Sequence, residues 1–476
     1  MAHAPRPPIA PHRSPSPVPP SSSDLPPAAA HPSGSSDRPA PSGPVPWLRS
    51  SRRRSTGVGR RLAALAAVLA LAVTAGCSSD DGGASGGSTT AAAGSSTSTT
   101  EPAGAVEPEE VAASLSFEEL IDVDLADYGA GEHGDLLRYQ PVPLPDPLDG
   151  DRYRILYRSV TPSGKPTFVT GMLTVPPGDA PDDGWGLISH AHGSTGLADD
   201  CAPSAKPDGL GSVEASLVQS TGREHGYAVV STDYEGQGGP GRHPFLNGVS
   251  EGRSVLDAAR AARQVPGVEL TPTATGLAGY SQGGHAILWA NQLAEAWTPE
   301  LEIIGTVSGA PASELEDAAT GEVFADGGAV LLFAGLATDE HEAELDDLLT
   351  DAGRKVLETA ERSCTAAQDR SLRGAEFFTV DPLTTEPWKD LLAENTPGAS
   401  PGASPVLIVH GDADVNVPAE LSVALMDRLC ASGDVVERRV APGLDHIAGA
   451  IPTYQQGIAW LDDLATGTEP TDACPG

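Results

Sequence analysis

The segment Gly279-Tyr280-Ser281-Gln282-Gly283 places a serine between two glycines, after the apolar run Thr275–Ala278 and before the helical pattern His285–Ala296. A serine hydroxyl attacks an acyl carbon only if it stands clear of the chain and a base takes its proton. A G-x-S-x-G turn between strand and helix meets the first need, because side chains two residues to either side would collide with the neighbouring strand and helix. In that setting an acid and a histidine should follow in chain order. The apolar run Val406–His410 leads into Gly411-Asp412-Ala413-Asp414-Val415-Asn416-Val417-Pro418, and Asp414, just before the Val-Asn-Val-Pro turn, is the expected acid. Asp412 is its rival, with capping of the turn as its other role. His446 closes the Gly-containing loop Ala441-Pro442-Gly443-Leu444-Asp445-His446 ahead of a terminal helix. It would accept the Ser281 proton while Asp414 fixes its tautomer.

Acyl transfer also needs N–H donors for the developing oxyanion, one from the residue after the nucleophile and one from an earlier strand-end loop. Gln282 supplies the first. His190-Ala191-His192-Gly193-Ser194-Thr195-Gly196 supplies the second from Ser194 or Thr195, with Gly193 leaving room for close approach. His190 and His192 alternate without carboxylate partners and are not read as metal ligands, so neither metal nor cofactor is expected.

These residues require a scaffold. Apolar runs bounded by Gly or Pro recur at Arg154–Tyr157, Thr167–Val175, Gly186–His190, Ala228–Thr232, Thr275–Ala278, Ile303–Val307 and Pro405–His410. Helical patterns lie between them, clearest over Val249–Gln264 and His285–Ala296. The alternation predicts an α/β fold, a mostly parallel open sheet with helices on both faces. From about 312 to 404 no strand-like run occurs, while Val330–Leu336, Glu342–Asp351 and Arg354–Arg362 read as helices. An interval that long predicts a mainly helical cap insertion. Within it, Val330-Leu331-Leu332-Phe333 would line an acyl tunnel or pack the cap's own core.

The chain of 476 residues has a formal net charge of -36. Residues 1–61 are basic, with nine Arg against Asp24 and Asp37, so the acidic excess belongs to the remainder. Such a domain repels phosphate backbones, which excludes nucleic acid as a partner. Arg52, Arg53, Arg54, Arg60 and Arg61 precede an uncharged stretch, Leu62–Gly76, too short to span a bilayer and of signal-peptide type. It ends in Val73-Thr74-Ala75-Gly76-Cys77-Ser78-Ser79, which resembles a lipobox with Cys77 as the lipidated residue and hence a membrane anchor. The Pro/Ser/Arg-rich segment 1–61 is a long n-region, consistent with a start near Val45 or Val58. Segment 62–77 is the signal and lipobox, 78–105 a flexible Ser/Thr/Gly tether, and 106–476 the globular domain. The four remaining cysteines, Cys201, Cys364, Cys430 and Cys474, suit two disulfides in an exported protein, and counting alone allows three pairings.

From about Val111 onward the chain resembles the secretory lipases, α/β-hydrolases of the yeast lipase A type with exported actinobacterial members. The resemblance rests on His192-Gly193-Ser194-Thr195-Gly196 followed by Asp200-Cys201-Ala202-Pro203-Ser204. It rests also on Thr232-Asp233-Tyr234-Glu235-Gly236, on Glu251-Gly252-Arg253-Ser254-Val255-Leu256-Asp257, on Gly279–Gly284 and on the two loops carrying Asp414 and His446. It implies an α/β-hydrolase fold, esterase or lipase activity on lipid or other acyl esters, no cofactor, and a helical cap around an acyl-binding tunnel. It further implies disulfides Cys201–Cys364 and Cys430–Cys474. Gln282 stands where the yeast enzymes carry Gly, which bears on acyl preference. Two other readings share the motifs: a serine peptidase of the prolyl-oligopeptidase type, and a non-catalytic surface lipoprotein on the same scaffold. The first lacks room for an N-terminal propeller; the second would not be expected to retain every catalytic residue type.

Overall fold

A computed structural model describes residues 107–144, 149–207, 213–320, 327–339, 341–364 and 375–475. The n-region, the signal segment with Cys77, and the tether lie outside the described residues. No described helix is long and apolar enough to cross a membrane.

Among the described residues ten strands form one sheet: β1 Glu109–Glu110, β2 Leu136–Pro141, β3 Asp151–Val160, β4 Pro166–Val175, β5 Trp185–Ala191, β6 Tyr227–Thr232, β7 Leu270–Tyr280, β8 Glu302–Gly309, β9 Val406–Gly411 and β10 Val436–Ala441. Their order is β1-β2-β3-β4-β6-β5-β7-β8-β9-β10. β2, β3, β4 and β6 pair antiparallel in succession, and every other pairing is parallel. This is the mostly parallel sheet of an α/β-hydrolase.

The helices, in chain order, are α1 Phe117–Ile121, α2 Val213–Glu224, α3 Gly248–Ala262, α4 Gln282–Trp297, α5 Leu315–Thr320, α6 Gly328–Leu336, α7 Glu342–Leu348, α8 Asp351–Ala360, α9 Trp388–Glu394, α10 Leu421–Ser432 and α11 Ala450–Ala465. Successive strand residues point to opposite faces, and the two cores divide accordingly. Leu187 and Leu277 join the core under α3 and α4, while Ile188 and Ala278 join the core under α2 and α11. Both faces are therefore covered, which is why the central strands read as unbroken apolar runs. Leu277 is fully buried, and truncating it to Ala would cost roughly 2–5 kcal/mol. Helix α3 approaches α4 closely because Gly252 has no side chain: a Cβ there would lie 2.9 Å from the Ala290 nitrogen.

Each predicted strand and helix lies within or overlaps an observed element, but three strands escaped prediction: β1, β2 and the edge strand β10. The helix expected over Glu342–Asp351 stops at Leu348, where Leu349 bridges to Phe378 and Thr350 starts α8 by accepting from the Gly353 amide at 3.2 Å.

Between β8 and β9 the described residues form α5–α9 around their own core. Phe333 meets Trp388 and Phe378 edge-on, at 5.9 and 5.5 Å between ring centres. Val330-Leu331-Leu332-Phe333 packs this core. Cys201–Cys364 ties the cap to the loop after β5, and Cys430–Cys474 ties the chain's end to α10. Arg242 reinforces the first tie by pairing with Glu342 at 2.8 Å and Glu361 at 2.7 Å. Beyond α11, the Ala473 amide donates to the Val436 carbonyl on the outer side of β10 at 2.9 Å.

Candidate active site

Ser281 lies between the end of β7 and the start of α4 with φ 58 and ψ −117. Positive φ is costly for a residue with a Cβ. The turn is held because the Ser281 amide donates to the Gly309 carbonyl at 2.9 Å, while its carbonyl accepts from His285 N at 3.2 Å and Ala312 N at 3.3 Å. A Cβ on Gly279 would strike the Gly283 carbonyl, and one on Gly283 would strike the Ala191 carbonyl. The two glycines therefore let β7, α4 and the end of β5 meet.

The structure brings Ser281, His446 and Asp414 together from three loops at the carboxyl edge of the sheet. His446 Nε2 is 3.0 Å from Ser281 Oγ, and its Nδ1 is 2.6 Å from Asp414 Oδ2. Because a carboxylate only accepts, Nδ1 carries the proton and Nε2 faces the serine with its lone pair. Asp414 Oδ1 accepts the amides of Asn416 at 2.9 Å and Val417 at 2.8 Å. Burial pushes this carboxyl up, but donation from His410, His446 and the Val417 amide outweighs it and holds the group well below the usual carboxylate range. The Asp445–His446 corner is fixed from β7, whose Tyr280 hydroxyl donates to the His446 carbonyl at 2.7 Å. Asp412 does not reach the histidine ring. It is exposed, and its Oδ1 accepts the Gly443 amide at 2.5 Å, bracing the two loops.

The Gln282 amide begins α4, so no carbonyl within the helix can take it. The loop after β5 lies against the serine: a Cβ on Gly193 would stand 3.7 Å from Ser281 Cβ. The Gly193 amide is not free, since it donates to Glu214 Oε2 at 2.9 Å. Ser194 is exposed, and Thr195 Oγ1 accepts from Gln237 Nε2 at 3.2 Å. Burial lowers His192 to about 4, so its ring is neutral near pH 7, with Nδ1 2.7 Å from the Gly193 carbonyl. His190 lies between Ser231 Oγ at 2.9 Å and the Tyr454 hydroxyl at 3.0 Å. Among the described residues no group of three or more His, Cys, Asp or Glu could hold a metal ion.

Sequence reasoning missed the carboxylates beneath the site. Glu214, from α2, accepts from the Tyr454 hydroxyl of α11 as well as from Gly193. Burial opposes its charge, but donors from His190, Tyr454 and Gly193 prevail and lower its pKa. Glu251 contacts both Gln282 and His285. Nothing in the local sequence marks Glu214. Glu251 at least lies in the Glu251–Asp257 stretch on which the resemblance rests.

Comparison with known proteins bears on the family and the fold. The chain is 28% identical over 376 residues to "Probable inactive lipase MT1628" of Mycobacterium tuberculosis, covering 73% of this chain and 82% of that protein. It is 25% identical over 349 residues to "Secreted triacylglycerol lipase LIP4" of Malassezia globosa, covering 68% and 75%. The fold is similar to the closed state of Candida antarctica lipase A, with a TM-score of 0.62 and 22% identity over 72% of this chain and 84% of that one. A model of the family described as "Secretory lipase" matches residues 212–473, more than half of the sequence, and the chain therefore belongs to the secretory lipase family.

Proposed function

We propose that the protein is a serine carboxylic ester hydrolase of lipase type, acting on triacylglycerols or related acyl esters through an acyl-enzyme on Ser281. The observation that carries this reading is the unbroken line from Ser281 Oγ to His446 Nε2 (3.0 Å) and from His446 Nδ1 to Asp414 Oδ2 (2.6 Å). Ser281 Oγ attacks the ester carbonyl as its proton passes to Nε2, and the imidazolium is stabilised by Asp414. Collapse of the tetrahedral intermediate expels the alcohol, which takes the proton from His446. Water then repeats the sequence on the acyl-enzyme, releasing the acid and restoring the serine. The Gln282 amide and a donor from Ser194 or Thr195 bind the oxyanion.

The secreted relative supports export, and the Cys77 pattern supports a lipid anchor with residues 78–105 as tether and 106–476 as the catalytic domain. Mass spectrometry of the mature N-terminus checks this: a diacylglyceryl modification on Cys77 supports anchoring, and unmodified cleavage elsewhere refutes it.

A second reading, a non-catalytic protein on the same scaffold, is favoured by one observation, the relative named a probable inactive lipase. Hydrolysis of p-nitrophenyl esters from acetate to palmitate, with Ser281→Ala alongside, separates the two. Turnover that the variant abolishes supports the enzyme. A folded, oxidised wild type inert on every ester supports the scaffold.

A further inference from the structure

Behind the Ser281 turn lies a fully buried carboxylate. Glu251 Oε1 accepts the Leu246 amide at 2.9 Å and Gln282 Nε2 at 2.8 Å, and its Oε2 is 2.8 Å from His285 Nδ1. His285 Nε2 lies 2.9 Å from the Asn395 carbonyl. Glu251 thus grips the first and fourth residues of α4, the turn whose leading amide faces the acyl site.

A second line leaves the Gln282 side chain. Gln282 Nε2 lies 2.9 Å from His243 Nε2. His243 Nδ1 donates to the Glu235 carbonyl at 2.9 Å, which leaves Nε2 as acceptor, and burial lowers the ring's pKa in keeping with a neutral form. The His243 ring stacks on Tyr234 at 5.5 Å, and the Tyr234 hydroxyl donates to the His192 carbonyl at 2.7 Å. His192 immediately precedes Gly193, which packs on Ser281. The Gln282 side chain therefore joins the start of α4 to the loop carrying Ser194 and Thr195.

We infer that Glu251 and the Gln282 side chain are positioning residues for the oxyanion hole, setting the separation between its two backbone donors. This rests on the ester-hydrolase reading above. A donor stabilises the oxyanion only at the place the charge will occupy, and a displacement of about 1 Å can cost roughly 100-fold in rate. A purely structural role would instead move stability and leave turnover alone.

The test uses the full chain with Gln282→Met, which keeps length and volume but loses both hydrogen bonds, together with Glu251→Gln and the double variant. With a p-nitrophenyl ester, kcat of each single variant should fall by about 10- to 100-fold while KM stays within about twofold. Labelling of Ser281 by a fluorophosphonate should remain stoichiometric but slow in proportion. The double variant should be no slower than the slower single one, because both act on one step. A folded Gln282→Met with kcat within about twofold of wild type overturns the inference, whatever its melting temperature. If either single variant fails to fold, the other decides, with Gln282→Ala as the replacement for Gln282→Met. A wild type that neither turns over esters nor takes the fluorophosphonate sinks the parent reading instead, and this one with it.

Discussion

Asp414 and His446 lie 32 positions apart in the chain and meet at 2.6 Å, with no side-chain surface of Asp414 left to solvent. Two backbone amides and two histidines surround that carboxylate, so it has no freedom to swing away. Replacing it with Asn would present a donor where His446 Nδ1–H needs an acceptor, favouring the wrong tautomer. Asp414→Asn should lower kcat by about 10³- to 10⁴-fold with little change in KM. Steady-state kinetics on a p-nitrophenyl ester check this.

Asp412 offers the contrasting case two residues earlier. Its carboxylate accepts the Gly443 amide and braces the two loops. Asp412→Ala should keep kcat within a few-fold while lowering stability by about 1 kcal/mol, the usual scale for one such bond. A loss of activity as large as that of Asp414→Asn would reverse the two assignments.

Ser281 holds φ 58, a conformation that glycine adopts freely and serine does not. Ser281→Gly and Ser281→Ala should both be inactive, yet Gly should melt at the higher temperature by relieving about 1 kcal/mol of strain. Parallel thermal melts of the two inactive variants read the difference directly.

Asp233 gives a pH signature. Burial pushes its carboxyl up to about 6 despite donors from Ser204 and Thr170. Its folded pKa exceeds the unfolded value near 4, so the native state holds the proton more tightly. Stability from this group is therefore present at low pH and lost as pH rises through about 6. Asp233→Asn cannot ionise, so its stability relative to wild type should improve between pH 4 and pH 6.5, by up to about 3 kcal/mol. Urea midpoints measured at both pH values test the sign; a constant difference refutes it.

Cys201–Cys364 closes a span of 163 residues between the loop after β5 and the cap. Cys364→Ser should destabilise the protein by about 2–5 kcal/mol, and it should raise KM for long-chain esters more than for acetate as the cap loosens. Equal KM changes across chain lengths would show that the tie serves stability alone.

The sheet's centre was legible because strands buried on both faces cannot hide their apolar runs. β10 was hidden because Glu437, Arg438 and Arg439 occupy the middle of an edge strand, where charge is tolerated and discourages further pairing. The break between α7 and α8 could have been read from Thr350, a residue type that starts helices. Ser281, Asp414 and His446 could be placed because each follows a strand in a fixed order. Glu214, Tyr454 and His243 could not. They reach the site from α2, α11 and the loop after β6, and only the folded chain makes them neighbours.

The last described residues have a consequence for how this protein survives its own synthesis. Among the described residues no strand pairs with the outer side of β10, and an open strand edge is a template on which other chains can assemble. The Ala473 amide occupies its first position, and Cys430–Cys474 holds that segment there. Without residues 473–474, or with Cys430–Cys474 reduced, nothing would hold that segment over the edge. The Cys430–Cys474 bridge thus keeps a covering segment over a strand edge that could otherwise pair with a second copy.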